Sequence, residues 1–158
     1  MATTMSITPP ALSHLCELFV ELGKPMELGP APRGRRRIIP IIGGTVKGDR
    51  LKGRIMDLGA DWQTVFADGT AELDTRYSMQ THDGAIIDIR NFGYRHGPPD
   101  VLAALGRGEL VDPSLYSMRT HPRFETGDPR YEWLNRLIAI GTGVREPAAV
   151  RVSVFEVL

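Results

Sequence analysis

The sequence predicts a mainly β fold, a small antiparallel β-barrel with one short helix plugging an end. Three observations carry that expectation. Glycine and proline punctuate the chain at intervals too short for a helical bundle. Asp68-Gly69 and Asp83-Gly84 each join two strand-like runs in the manner of hairpin turns, whose positive φ angles suit Asp-Gly. Only one segment of any length, opened by Pro99 and closed by Gly106, carries the start and stop signals of a helix.

Taken in order, Leu15 to Leu22 is an apolar run with Glu17 and Glu21 interspersed and reads as the first strand. Gly23 to Gly34, with Pro25, Pro30 and Pro32, reads as a loop. Arg35 to Ile42 is a second strand, where Pro40 removes a ladder donor and marks an edge or a bulge. Gly43-Gly44 marks a sharp bend. Lys52 to Leu58 is a strand, Gly59-Ala60-Asp61 a turn, and Trp62 to Phe66 another strand. The two Asp-Gly turns then join Trp62–Phe66, Glu72–Gln80 and Ala85–Tyr94 into a meander. Beyond the helix, Tyr116 to Thr120 resumes as a strand. Asp128-Pro129 has the character of an N-cap and first turn, so Arg130 to Leu134 forms a single helical turn. Arg136–Ile140 and Val150–Val157 close the chain as a long hairpin joined through Gly141 to Pro147. Many short strands and one plugging helix favour closure, which removes exposed edges.

A chain of 158 residues fits one domain, residues 1–158, with 1–10 as a flexible N-terminal extension. The formal net charge of +0 gives no field to attract nucleic acid or an acidic membrane. Cys16 is the only cysteine, so no internal disulfide forms, which suits a reducing, cytoplasmic compartment. The first ten residues lack the pattern of a signal peptide, and no apolar run is long enough to span a membrane.

His14, His82, His96 and His121 are scattered without ligand spacing, so neither a metal nor another cofactor is expected. Gly43-Gly44-Thr45 lacks the lysine–serine pair of a phosphate loop. The serines lack a nucleophile elbow, and Cys16 reads as a buried inert thiol. The arginines 33, 35, 36 and 37 read mainly as solvated, although alternation leaves room for one interior arginine among them. Two clusters remain: Gly59-Ala60-Asp61-Trp62, and Arg119 to Gly127 followed by Tyr131, Trp133 and Asn135. Each is read either as a turn cap with core aromatics or as carboxylates and arginines at the mouth of an apolar cavity. In 72–80, Leu73, Thr75, Tyr77 and Met79 share one face while Glu72, Asp74, Arg76, Ser78 and Gln80 share the other. A packed core takes the first face, and a polar chamber could use Arg76 from the second. Both remain open on sequence alone.

These residues also carry a resemblance. Gly43-Gly44-Thr45, Gly53-Arg54, Gly59-Ala60-Asp61-Trp62, Arg76-Tyr77, Thr81, Asp83-Gly84-Ala85, Asn91, Gly93, Arg119-Thr120, Phe124-Glu125-Thr126 and Tyr131-Glu132-Trp133-Leu134-Asn135 resemble the domain-of-unknown-function family 3237, also called uncharacterised protein family 0311. The likeness runs from about Leu15 to Leu158. It implies a small closed barrel of calycin-like or lipocalin-like appearance, paired as a homodimer, and says little about chemistry. Its motif residues supply the candidates Asp61, Trp62, Arg76, Tyr77, Arg119 and Glu125.

The leading expectation is a barrel acting without a cofactor as a lyase, isomerase or cyclase on a small aromatic or carbonyl-containing metabolite. Asp61 or Glu125 would transfer the proton, and Arg76 or Arg119 would hold a developing oxyanion. Trp62, Tyr77 and Trp133 would form the ligand-binding wall. The alternative is a non-catalytic barrel that binds or carries a hydrophobic ligand, with its carboxylates paired to arginines.

Overall fold

The structure, a computed structural model, describes residues 1 and 3–158. Among the described residues nine strands follow one another: β1 (Leu12–Leu22), β2 (Met26–Ala31), β3 (Gly34–Lys47), β4 (Gly53–Val65), β5 (Ala71–Thr81), β6 (Ile86–His96), β7 (Ser117–Glu125), β8 (Ala139–Glu146) and β9 (Ala149–Val157). Helix α1 (Pro99–Gly106) lies between β6 and β7, at the bounds its proline and glycine predict. Two 3-10 segments, Pro113–Leu115 and Pro129–Arg136, flank β7. The second is capped by the Asp128 side chain, which accepts from Arg130 N at 3.0 Å. No helix among the described residues is long and apolar enough to cross a membrane.

All pairings are antiparallel, and β1 pairs with both β9 and β3, so the sheet closes into an eight-stranded barrel. The second half of β3 makes that closure through Ile41–Lys47, while its first half, Gly34–Ile38, pairs with β2. Strand β2 thus hangs from the ring as a short exposed flap, with Pro30 blunting its edge. It lies inside the stretch that its prolines and Gly29 make look like a loop.

Two further departures from the sequence reading matter for the site. Gly59-Ala60-Asp61 is no turn but part of one strand, β4, whose register shifts between Ile55 and Gly59. Gly59 has φ +132°, and a Cβ there would lie 2.2 Å from the Arg76 carbonyl oxygen, so only glycine lets β4 run on past β5. Likewise Gly141 and Gly143 belong to β8, and the final hairpin turns at Pro147-Ala148 instead. Cβ atoms at these positions would come within 2.4 Å of Thr120 Oγ1 and 2.8 Å of Met118 Sδ, so the glycines make room for β7 side chains rather than a loop.

The interior has two apolar clusters. The larger gathers Cys16, Leu18, Leu51, Met79, Ile87, Ile89, Phe124, Leu134 and Val154 with their neighbours at one end of the barrel. The smaller seats Leu102 and Leu105 of α1 on Ala71, Leu73, Tyr116 and Met118 at the other. Helix α1 is therefore a plug, as expected. Val150 touches both clusters, and the candidate site lies between them.

Candidate functional site

Register places the site. Strands β4, β5 and β6 set Asp61, Thr75 and Asn91 side by side across the inner wall. The inward face of 72–80 is the one bearing Leu73, Thr75, Tyr77 and Met79. Towards α1, the next inward positions include Gln63, Arg95 and Thr120. From β8 comes Arg145, buried near the rim, where Arg37 of β3 is buried beside it in an adjoining cleft. Between these polar groups runs an aliphatic wall of Val20, Leu22, Ile39, Ile41, Val150 and Val152.

They enclose a chamber. The space open to the centre of a water molecule is about 50 Å³, several times the roughly 10–15 Å³ one water requires. The whole void, mouth included, is about 540 Å³. Five of its lining side chains hold a buried polar atom with no hydrogen-bond partner: Gln63 Oε1, Tyr77 Oη, Asn91 Oδ1, Arg95 Nε and Thr120 Oγ1. Native interiors rarely leave such atoms unpaired, and here they converge on one space.

Asp61 is the carboxylate of the chamber. It is 8% exposed, and Oδ1 accepts from Asp74 N at 3.0 Å while Oδ2 accepts from Gln63 Nε2 at 3.2 Å. Burial pushes its pKa up to about 6, against the opposing pull of those hydrogen bonds and of the Arg95 charge. Among the described residues no arginine or lysine lies within ion-pair distance of it. Arg95, 7% exposed, has its pKa lowered to about 10, first by burial and then by the nearby Arg145 charge. It stays a cation at neutral pH. Arg145 is lowered too, again by burial and then by Arg37. Burial also raises the Tyr77 phenol, keeping it a neutral donor.

The other residues singled out from the sequence lie elsewhere. Arg76, Arg119 and Glu125 are exposed on the outer face, because each has the outward parity of its strand. Arg76 stands opposite Arg90, Arg119 opposite Tyr94 and Glu125 opposite Asp88. Trp62 follows Asp61 and so points outward, 39% exposed. Trp133 packs against the larger apolar cluster, with the Arg50 guanidinium 4.1 Å from its ring centre. The structure therefore brings Asp61 and Tyr77 together at the chamber and leaves the other five outside it. Sequence reading missed Gln63, Asn91, Arg95, Thr120 and Arg145. Asn91 and Arg95 were detectable in principle, since they share the parity of Ile87 and Ile89. Arg145 was hidden by reading β8 as a loop.

Comparison with known proteins agrees with this frame. The model of the family described as protein of unknown function (DUF3237) matches residues 10–157. A UPF0311 protein of Rhodopseudomonas palustris is 42% identical over 145 residues, covering 92% of this chain and 95% of the relative. The crystal structure of a β-barrel-like protein from Acinetobacter baumannii superposes with a TM-score of 0.87 at 42% identity, covering 98% of this chain and 100% of that one. More distantly, a hydroalkoxylation enzyme of Penicillium herquei is 27% identical over 135 residues, 85% of this chain and 75% of the relative. An enzyme structure from the same fungus shares the fold, with a TM-score of 0.74 at 21% identity over 99% of this chain and 100% of that one.

Proposed function

Because this chain belongs to the DUF3237 family, whose description names no activity, we propose from its chamber that it is a lyase, isomerase or cyclase moving a proton on a small carbonyl-bearing or aromatic metabolite. The observation that carries this reading is Asp61: a desolvated carboxyl without an ion-pair partner, facing a void where five other buried polar atoms have no hydrogen-bond partner. With a pKa near 6, it is mostly ionised at neutral pH yet readily protonated, which suits a group that both takes and returns a proton.

The neighbours have matching roles. Asp74 N and Gln63 Nε2 fix the carboxylate's orientation. Arg95, cationic and close enough to act on Asp61, stabilises negative charge developing on a substrate oxygen. Tyr77 Oη and Asn91 supply hydrogen bonds that position the substrate, and the aliphatic wall excludes water. The name of the fungal relative suggests one concrete form, addition of an alcohol O–H across a C=C bond. Asp61 would accept the hydroxyl proton as the C–O bond forms, then return it to the neighbouring carbon. The proton count closes without a further reactant.

The test is turnover by purified protein of a panel of hydroxyalkenes and enolisable ketones, followed by NMR, which distinguishes isomeric products of equal mass. Asp61→Asn should lower kcat/KM by about 10²–10⁴-fold, with an apparent pKa near 6 in the wild-type profile. An Asp61→Asn protein with full activity on a confirmed substrate would overturn the assignment. The carrier reading draws on the aliphatic wall, but it expects carboxylates paired to arginines, which Asp61 is not.

A further inference from the structure

We propose that the ligand of this chamber is an organic monoanion, its carboxylate or equivalent oxoacid head seated on Arg95 and its apolar body against the aliphatic wall. The proposal rests on the chamber being the active site and specifies the class of substrate that site takes.

Charge is the first argument. Arg37, Arg95 and Arg145 are all buried, while Asp61 is the one carboxylate among the chamber's lining residues. Arg37 has a partner from outside, with its Nε 3.5 Å from Glu27 Oε1. Arg145 has Nη1 directed at the carbonyl oxygens of Glu146 and, at 3.2 Å, Ala149, so it is a fixed charge at the rim. Two guanidinium groups against one carboxylate leave one positive charge uncompensated in a desolvated space. A buried cation in that position requires an anion or a strong hydrogen-bond acceptor.

Geometry is the second. Arg95 Nε is buried without a partner, and no carboxylate lies within 4.0 Å of Arg95 among the described residues. A guanidinium presents donors in a fork that matches the two oxygens of a carboxylate. Thr120 Oγ1, also unpaired, lies in the same lining. Val20, Ile39, Ile41, Val150 and Val152 then offer only dispersion contacts, so the rest of the ligand is apolar. A dianion fits poorly, because the ionised Asp61 already offsets one of the two charges.

The experiment compares two probes of similar size by calorimetric titration: benzenesulfonate, ionised at every working pH, and benzenesulfonamide, neutral at pH 7. Wild-type protein should bind the sulfonate about tenfold or more tightly than the sulfonamide. Arg95→Gln should remove the preference, and Asp61→Asn, which deletes the competing negative charge, should keep or enlarge it. Equal wild-type affinity for the two probes, no binding of either, or a preference surviving Arg95→Gln would each overturn the proposal. The wild-type comparison decides even if Arg95→Gln fails to fold. Equal affinity of the wild-type protein for the two probes, while Asp61→Asn still abolishes turnover, would remove the anion site and leave proton transfer standing. A retained preference in an Asp61→Asn protein of full activity would do the reverse.

Discussion

Strands β5 and β6 run the length of the barrel, and their inward residues change character midway. At the end closed by Tyr131 and Leu134, the inward side chains are Met79, Ile87 and Ile89, all buried in one apolar cluster. Towards α1, the same strands turn Thr75, Asn91 and Arg95 inward, and the space between them stays open. The backbone geometry is continuous, so the difference lies in the side chains alone. One half gains stability by filling its volume; the other leaves polar atoms buried and unpaired, each worth roughly 1–3 kcal/mol of lost solvation. A fold carries such a region only where a packed region offsets it. What the contrast teaches is a division of labour within a single sheet, and substitutions in the two halves should have opposite signs.

The packed half gives the largest effect. Ile87→Ala, at a fully buried position, should destabilise by about 2–5 kcal/mol, as loss of transfer energy plus a cavity. Chemical denaturation should show that loss, while the Asp61 titration stays near 6. A change below about 1 kcal/mol would mean the packed half is looser than the cluster implies.

Asp61→Asn should move the other way. The folded pKa of about 6 lies above the ordinary 3.8, so ionisation opposes folding. Stability attributable to this group is fully present below pH 3.8, declines as pH rises to about 6, and stays low above it. Two units correspond to about 3 kcal/mol. Asparagine removes the charge, still accepts from Asp74 N, and can donate to the unpaired Gln63 Oε1. Above pH 6 the variant should therefore be more stable by up to about 3 kcal/mol, with activity lost. Equal stability of the two proteins at pH 8 would show that Asp61 is better solvated than its burial indicates.

Tyr77→Phe should be smaller still. The hydroxyl has no partner, so its removal loses no internal hydrogen bond, and stability should hold or rise by about 1 kcal/mol. A fall of about 2 kcal/mol would reveal a bond that the hydroxyl makes after all.

The barrel was legible because its signals are local. Asp-Gly turns, the proline-to-glycine helix and alternation are read within a few residues. The β2 flap escaped because Gly29 and Pro30 imitate a loop, and β8 because its glycines serve a neighbouring strand rather than a turn. Within the resembling motifs, several residues hold the packed end instead of forming a site. Tyr131 Oη donates to Asp83 Oδ1 at 2.8 Å, as does Thr81 Oγ1 at 2.6 Å, and Asn135 exchanges hydrogen bonds with the Thr126 backbone. The candidate site was half legible: Asp61 and Tyr77 stood out, but which strand face turns inward is decided by the whole ring. Parity is a relation between strands, and no single segment contains it.

That relation makes the outer-face arginine the most exacting comparison, because its expected effect is the smallest. Arg76 is one residue from Tyr77, yet it lies outside the wall, directly opposite Arg90, which in turn faces Arg123 on β7. Like charges opposite one another across a ladder repel, and all three are exposed. Arg76→Ala should thus leave stability within about 0.5 kcal/mol, with any shift on the stabilising side and shrinking as salt is added. Turnover and the preference for the sulfonate should be unchanged, and the same holds for Glu125→Gln. A strong loss of either activity in Arg76→Ala, with the fold intact, would place functional chemistry on the outside of the barrel. The contrast would then lie between two faces of one sheet rather than between two halves of its interior.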